Sequence, residues 1–235
     1  MTTTQVIDLS HWNTVQSFAS VKAAGVVGVI HKATEGNYNT DPEFRPRHAD
    51  ACEAGLLFGA YHFGTGNPVG EQVSRFCGEV GDHPDLLLAL DLEDYSNPMT
   101  LSQAREFIEG VEARMGRSCV LYSGNRIKEL LGSKVDPWWG TRRLWLAHYT
   151  TGTPTCQASW STYWLWQFTD TGKVSGMSGD TDLNHFQGTH DALRAEWSGG
   201  GDIIEPPTIK PPPAEFVTVT IKLTLPKGSK VEVTS

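Results

Sequence analysis

The sequence predicts an α/β barrel, and three observations predict it. Short apolar runs alternate with helical stretches over most of the chain, the pattern of strands joined by crossover helices in a parallel sheet. Eight such runs can be counted, enough for a sheet to close on itself. The sharpest compositional break in the 235 residues falls near Trp197. That leaves residues 1–198 for the barrel, short of the ~250 typical of the architecture.

The first apolar run spans 6–8 and is followed by a helical stretch at 15–24. A β-branched run at 26–32 leads to a helix at 42–54, where Pro42 suits a first turn. The pattern repeats with a strand at 57–63 and a helix at 68–80, opened by Pro68. Next come a strand at 86–92 and a clearly amphipathic helix at 101–115. A short strand at 120–122, a helix at 125–131 and a strand at 144–148 complete the regular part. Helical patterning then stops. Segments 149–162 and 169–181 are rich in Thr, Ser, Gly and Asp and read as loops around strands at 163–168 and 182–186. The expectation is an irregular TIM-like barrel with eight strands and about five helices.

Beyond the barrel, residues 199–215 read as a Gly/Pro-rich linker, flexible at Ser198-Gly-Gly-Gly-Asp202 and stiffer through Glu205-Pro-Pro-Thr-Ile-Lys-Pro-Pro-Pro213. From Val217 to Leu225 apolar residues alternate with Thr and Lys, Pro226-Lys-Gly-Ser229 signals a turn, and Val231 and Val233 resume the alternation. Residues 216–235 thus read as a β-hairpin tail. A lone hairpin is marginal in water, so its apolar face needs cover, from the barrel or from other copies in a homo-oligomer.

The formal charge is −8, from 19 bases and 27 acids. Residues 199–235 hold four of each, so the whole excess lies in the barrel part. An acidic chain is poorly suited to nucleic acid, whose binding rests on phosphate neutralisation. No run approaches the ~18 apolar residues of a membrane span. The N-terminus lacks the basic start and apolar stretch of a signal peptide, so synthesis in a cytoplasm without an export signal is expected. Cys52, Cys77, Cys119 and Cys156 form no C-x-x-C pair and are expected as free, buried thiols.

The strongest chemical signal is Leu86-Leu-Leu-Ala-Leu-Asp91-Leu-Glu93. Strand periodicity puts Asp91 and Glu93 on one face, their Cα atoms roughly 7 Å apart. At the C-terminal mouth of a barrel, such a pair suits general acid work, because neighbouring carboxyls push their pKa values apart. Solvent-facing acids that merely cap a helix would look the same. Asp8 closes the first strand and Asp182 opens the last, adding two more acids at adjacent strand ends. Aromatic residues cluster at other ends, among them Tyr61, Tyr122, Trp145, Tyr149 and Trp166. Acids ringed by aromatic faces suit a sugar chain, although Trp145, Trp164 and Trp166 could equally fill the core. Trp12 and Trp197 could staple the two chain ends.

In order, the chain carries Asp8-Leu-Ser10-His-Trp-Asn13, Lys32-Ala-Thr-Glu35-Gly36, Tyr61-His62-Phe63, Leu90-Asp91-Leu-Glu93, Tyr122-Ser123, Trp145-Leu-Ala147, Trp166-Gln167 and Asp182-Leu-Asn184. Over roughly residues 4–197 it resembles the Chalaropsis-type lysozymes, the glycoside hydrolase family 25 muramidases, which include many bacteriophage endolysins. The resemblance implies hydrolysis of the β-1,4 bond between N-acetylmuramic acid and N-acetylglucosamine in peptidoglycan glycan strands, with retention. It implies Glu93 as general acid, Asp91 as an ionised partner, and Asp8 and Asp182 as supports at the floor of the site. Tyr61, Lys32, Glu35, Tyr122, Trp145, Tyr149 and Trp166 are expected to contact substrate, with Glu35 alternatively pairing to Lys32. A phage endolysin, made in the host cytoplasm and acting on the wall, would fit. Two retaining routes stay open: attack by a carboxylate, which needs carboxyl groups about 5–5.5 Å apart, or attack by the substrate's own 2-acetamido group, with Asp91 and Tyr61 holding it. The D-x-E spacing resembles families that use the second, which is the preferred reading.

Other signals are set aside. Gly64-Thr-Gly66-Asn-Pro-Val-Gly70 follows a strand, but its third glycine is late and Pro68 removes a donor, so no dinucleotide site is expected. No metal or cofactor is expected either, since His11, His62 and His185 lack metal-binding spacing. A metal-dependent hydrolase using the four acids, or a sugar-binding protein without turnover, would be the alternatives.

Overall fold

The computed structural model describes residues 4–199. The chain runs through β1 (Thr4–Leu9), β2 (Thr14–Val15), α1 (Phe18–Ala23), β3 (Val26–Glu35) and β4 (Asn39–Thr40). It continues with α2 (Phe44–Glu53), β5 (Leu57–Phe63), α3 (Val69–Val80), β6 (Leu87–Asp91) and α4 (Leu101–Met115). Then follow β7 (Cys119–Ser123), α5 (Asn125–Leu131), α6 (Pro137–Gly140) and β8 (Leu144–Ala147). The last elements are β9 (Leu165–Gly172), β10 (Met177–Ser178), β11 (Thr181–Phe186) and α7 (His190–Glu196).

Eight of these strands close a barrel in the order β1-β11-β9-β8-β7-β6-β5-β3, with β3 pairing back to β1. They are the eight expected from the sequence. The sheet is not wholly parallel, however: β11 runs antiparallel to both β9 and β1. The physical reason is the length of the connection. Residues 173–180 are too few for the crossover of a dozen or more residues that a parallel return needs. This reversal decides the site, because it brings the start of β11, and so Asp182, to the mouth beside Asp8.

The five expected helices are present, two of them with the expected limits. The first is shorter than expected because Val15 pairs with Met177 and Ser17 caps α1, accepting from the Ser20 N–H at 3.1 Å. Two further helices were missed. Asp136 caps the single turn of α6, with Pro137 in its first turn, and Thr189 caps α7. Both caps were readable, but neither segment has enough apolar repeats to reveal a helix by period. The strand expected at 163–168 begins later and extends to Gly172, since it keeps pairing with β11.

Alternate strand residues face inward. Val6, Ile30, Leu87, Ala89, Val120, Trp145 and Leu165 fill the barrel, while the other face packs under the helices. Trp197 plugs the bottom, 1% exposed, with its Nε1–H donating to Phe58 O at 2.7 Å. Gly28 and Gly59 make room for it: a Cβ on Gly28 would stand 2.7 Å from the indole ring. Trp197 therefore does staple the barrel, whereas Trp12, 84% exposed, does not.

All four cysteines are free thiols; Cys77 and Cys119 are buried, Cys156 is half-buried and Cys52 is exposed, so burial holds only in part. No helix among the described residues is long and apolar enough to cross a membrane. The linker beyond Gly199 and the hairpin at 216–235 lie outside the described residues.

Candidate active site

The inward positions nearest the C-terminal ends of the parallel strands supply the polar residues of the site. Strand period two carries the apolar interior upward into Asp8 on β1, Lys32 on β3, Tyr61 on β5, Asp91 on β6, Tyr122 on β7 and Gln167 on β9. Leu92 still donates its N–H to Tyr122 O at 3.0 Å, so pairing continues past β6 and Glu93 keeps the face of Asp91.

A hydrogen-bonded network fixes one wall. The Gln167 amide donates to both Asp8 carboxyl oxygens, at 3.2 and 3.0 Å, and Asn184 Nδ2 donates to Asp8 Oδ2 at 2.7 Å. Trp145 Nε1 donates to Asn184 Oδ1 at 2.6 Å. The hydroxyls of Tyr122 and Tyr149 donate to Gln167 Oε1 at 2.8 and 2.9 Å. Trp145 lies beneath Tyr61 and Tyr122, edge-on to both, with ring centroids 6.4 and 4.5 Å away. Gln167 and Asn184 were missed as site residues. Both stand in motifs already noted, two residues along a strand from another inward-facing group, so alternation alone could have found them.

The acids are perturbed in one direction. Burial, then Asp182, raises the Asp8 pKa well above the ordinary carboxylate value, while the Asn184 and Gln167 amides oppose the rise. Burial, then Asp170, raises Asp182 to about 6. Asp8 and Asp182 are direct cross-strand partners, and a hydrogen bond between two carboxyls requires one to keep a proton. Burial, then Glu93, raises Asp91 well above its ordinary value, with Lys32 opposing. Glu93 is open to the solvent of the cleft yet walled by protein; that partial desolvation, then Asp182, raises it as well. The Tyr122 hydroxyl offsets this by hydrogen bonding. That hydroxyl has a single proton and two acceptors, Gln167 and Glu93.

Asp91 Oδ1 is buried and has no hydrogen-bond partner among the described residues. An orphaned carboxylate oxygen is costly, and here it lies beside Glu93 and Lys32. Lys32 pairs with Glu35, as the alternative reading of that motif had it, and stands 4.8 Å above the centre of the Phe63 ring. Glu35 also accepts from the Tyr38 hydroxyl at 3.0 Å. Trp166 is not brought into the cleft. It alternates with Gln167 and faces the outside of the barrel, near Tyr163 and His185.

His62 is structural. It bridges Thr34 Oγ1 at 2.7 Å and Gln72 Oε1 at 3.0 Å, and burial lowers its pKa to about 4. Gln72 also binds the backbone of Thr65 and Asn67, which accounts for the glycine-containing loop after β5. His11 bonds Asp41 at 2.8 Å. No three His, Cys, Asp or Glu side chains among the described residues are arranged to hold a metal ion.

Residues 7–177 match glycosyl hydrolases family 25. The chain belongs to this family. It is therefore a glycoside hydrolase, and its barrel is shared with solved relatives. It is 31% identical to Lysozyme M1 of Streptomyces globisporus over 81% of this chain and 70% of that protein. It is 31% identical to the N,O-diacetylmuramidase of Chalaropsis sp over 82% of this chain and 98% of that one. The crystal structure of the bacterial lysozyme from Streptomyces coelicolor superposes with a TM-score of 0.76 at 30% identity, covering 84% of this chain and 98% of that chain.

Proposed function

We propose that this family member is an N-acetylmuramidase, cutting the β-1,4 bond between N-acetylmuramic acid and N-acetylglucosamine in peptidoglycan with retention. Kinship to lysozymes and a muramidase supports the substrate. The observation that carries the mechanism is the unpartnered Asp91 Oδ1. A substrate acetamido N–H seated there satisfies the oxygen and orients the acetamido carbonyl at the anomeric carbon. Hydrogen bonding to the ionised form also lowers the pKa of Asp91, which moves the pair's proton onto Glu93. Glu93 then protonates the departing glycosidic oxygen as the acetamido oxygen closes on the anomeric carbon. In the second step Glu93, now ionised, takes a proton from water, and the water oxygen opens the cyclic intermediate with the original anomeric configuration. Tyr61 stands beside this exchange. The Asp8–Asp182 pair, which shares one proton, contributes its remaining negative charge where positive charge develops on the sugar.

Exposed aromatic side chains support a glycan substrate. Trp12, Tyr38, Tyr95 and Tyr149 are all exposed, and each lies on the segment that follows a parallel strand, at the mouth. Their flat faces can stack on successive sugar rings. Of these only Tyr149 was expected from the sequence.

Proton NMR of early products tests the reading. The β-anomer should appear first and mutarotate later; initial α-anomer would contradict retention. A strong chelator should leave turnover unchanged, and loss of turnover restored by a divalent ion would favour the metal-dependent alternative. A phage-lysis setting extends the same reading. Expressed in a bacterial cytoplasm, the protein should lyse cells only after the membrane is permeabilised. The alternating pattern at 216–225 supports self-association of the tail. Light scattering on the full chain and on a version ending at Ser198 tests this, and equal monomer masses would dismiss it.

A further inference from the structure

The outer wall of the barrel holds a second pocket, of about 590 Å³, behind the catalytic cleft. No helix follows β8 or β9, so the connection at 148–164 lies directly against the outside of the sheet. Trp166 pairs with His185 across β9 and β11, just as Gln167 pairs with Asn184. Gln167 and Asn184 point inward and hold Asp8. Trp166 and His185 therefore point outward, and both line the pocket.

Three properties define what the pocket can take. It is aromatic: the Tyr163 and Trp166 rings stand 5.9 Å apart, and Trp166 is 6.3 Å from His185. The Trp166 ring is held in place, its Nε1–H donating to His148 O at 2.7 Å. It is polar at the edges, where Thr155, Thr162 and Gln187 are exposed. It is also uncharged. In a chain of net charge −8, none of the described residues that line it is Asp, Glu, Lys or Arg. Burial lowers the pKa of His185, so that ring too is neutral at physiological pH.

We propose that this pocket is a secondary carbohydrate site that binds an uncharged N-acetylhexosamine unit of a wall glycan, stacked on Tyr163 and Trp166. The proposal rests on the peptidoglycan reading for its source of sugar. Flat aromatic faces bind the apolar side of a pyranose, and neutral hydroxyl and amide groups satisfy its edge. An anionic phosphate or a peptide carboxylate would find no cation among the residues that line it. The consequence is a second attachment point, which raises the local concentration of enzyme on insoluble glycan without a new catalytic contact.

The test uses the full chain carrying Glu93→Gln, so that ligand is bound but not consumed, titrated with tri-N-acetylchitotriose. The indole N–H signals of Trp166, outside, and Trp145, in the cleft, report the two sites separately, each assigned by its loss in a Trp→Phe variant. Saturable shifts of the Trp166 signal are expected. In Tyr163→Ala this outer site should bind about three- to tenfold more weakly, with Tyr163→Phe retaining affinity and Trp145 responding as before. An unmoved Trp166 signal, or one that moves equally in Tyr163→Ala, overturns the proposal. Hydrolysis of peptidoglycan by the unmutated chain is scored separately, so failure of the muramidase reading would show as lost turnover, whatever Trp166 does.

Discussion

Asp91 and Glu93 divide the work because their surroundings differ, not because their chemistry does. Glu93 opens to the cleft, while Asp91 is 5% exposed with one oxygen unpartnered. Glu93→Gln keeps the shape and removes the proton donor, so turnover on peptidoglycan should fall by about 10²–10⁴-fold, the usual worth of general acid catalysis. Near-normal activity would remove Glu93 from this role. Since Glu93 is raised, activity should decline as pH rises through its pKa, and a pH–rate profile reads this alkaline limb directly. Asn184 is a positioning residue: it accepts from Trp145 and donates to Asp8. Asn184→Ala leaves the buried Trp145 indole N–H unpaired and Asp8 held by Gln167 alone, at a cost of about 1–3 kcal/mol. Its signature is a shifted pH–rate profile, which a purely structural loss would not produce. The four acids were legible in the sequence because each ends or opens an apolar run. Gln167 and Asn184 were legible as inward-facing by alternation, but that they hold Asp8 was not, since an amide's partner lies across the sheet.

At the scale of elements, β11 shows why strand counting reached the right barrel but not its sense. Eight apolar runs were visible, and so were their helices wherever the apolar period persisted over several turns. Direction depends on what a connection can span, and the eight residues of 173–180 dictate an antiparallel return. Without that return Asp182 would lie at the opposite end of the barrel from Asp8. The bottom closure was half legible. Trp197 was a candidate staple, but the glycines that receive it are spread over β3 and β5 and read individually as strand breakers. Gly28→Ala places a methyl 2.7 Å from the indole ring, and such overpacking should destabilise by about 1–3 kcal/mol in urea unfolding. An unchanged midpoint would mean that the plug is loosely seated.

For the whole molecule, the −8 charge acquires a location. Four carboxyls share one cleft, each with a raised pKa, so the site works against the stability of the fold at neutral pH. The sign follows from linkage. Asp182 moves from 3.8 to about 6 on folding, so the folded state binds more protons than the unfolded state between those values. Its contribution to stability is complete below about pH 4 and is lost as pH rises through about 6. Asp182→Asn should therefore raise the melting temperature at pH 7 and change it little at pH 4, while activity falls. Equal melting temperatures at pH 7 would mean that the cluster carries no such penalty.

The central claim is that this family member cuts on the muramic acid side of the glycan. The direct measurement is digestion of purified peptidoglycan, borohydride reduction of the new ends, and mass analysis of the fragments. The account predicts muramitol at those ends, absent after treatment with Glu93→Gln protein. Glucosaminitol instead, or no new reducing ends from the unmutated protein, would contradict it.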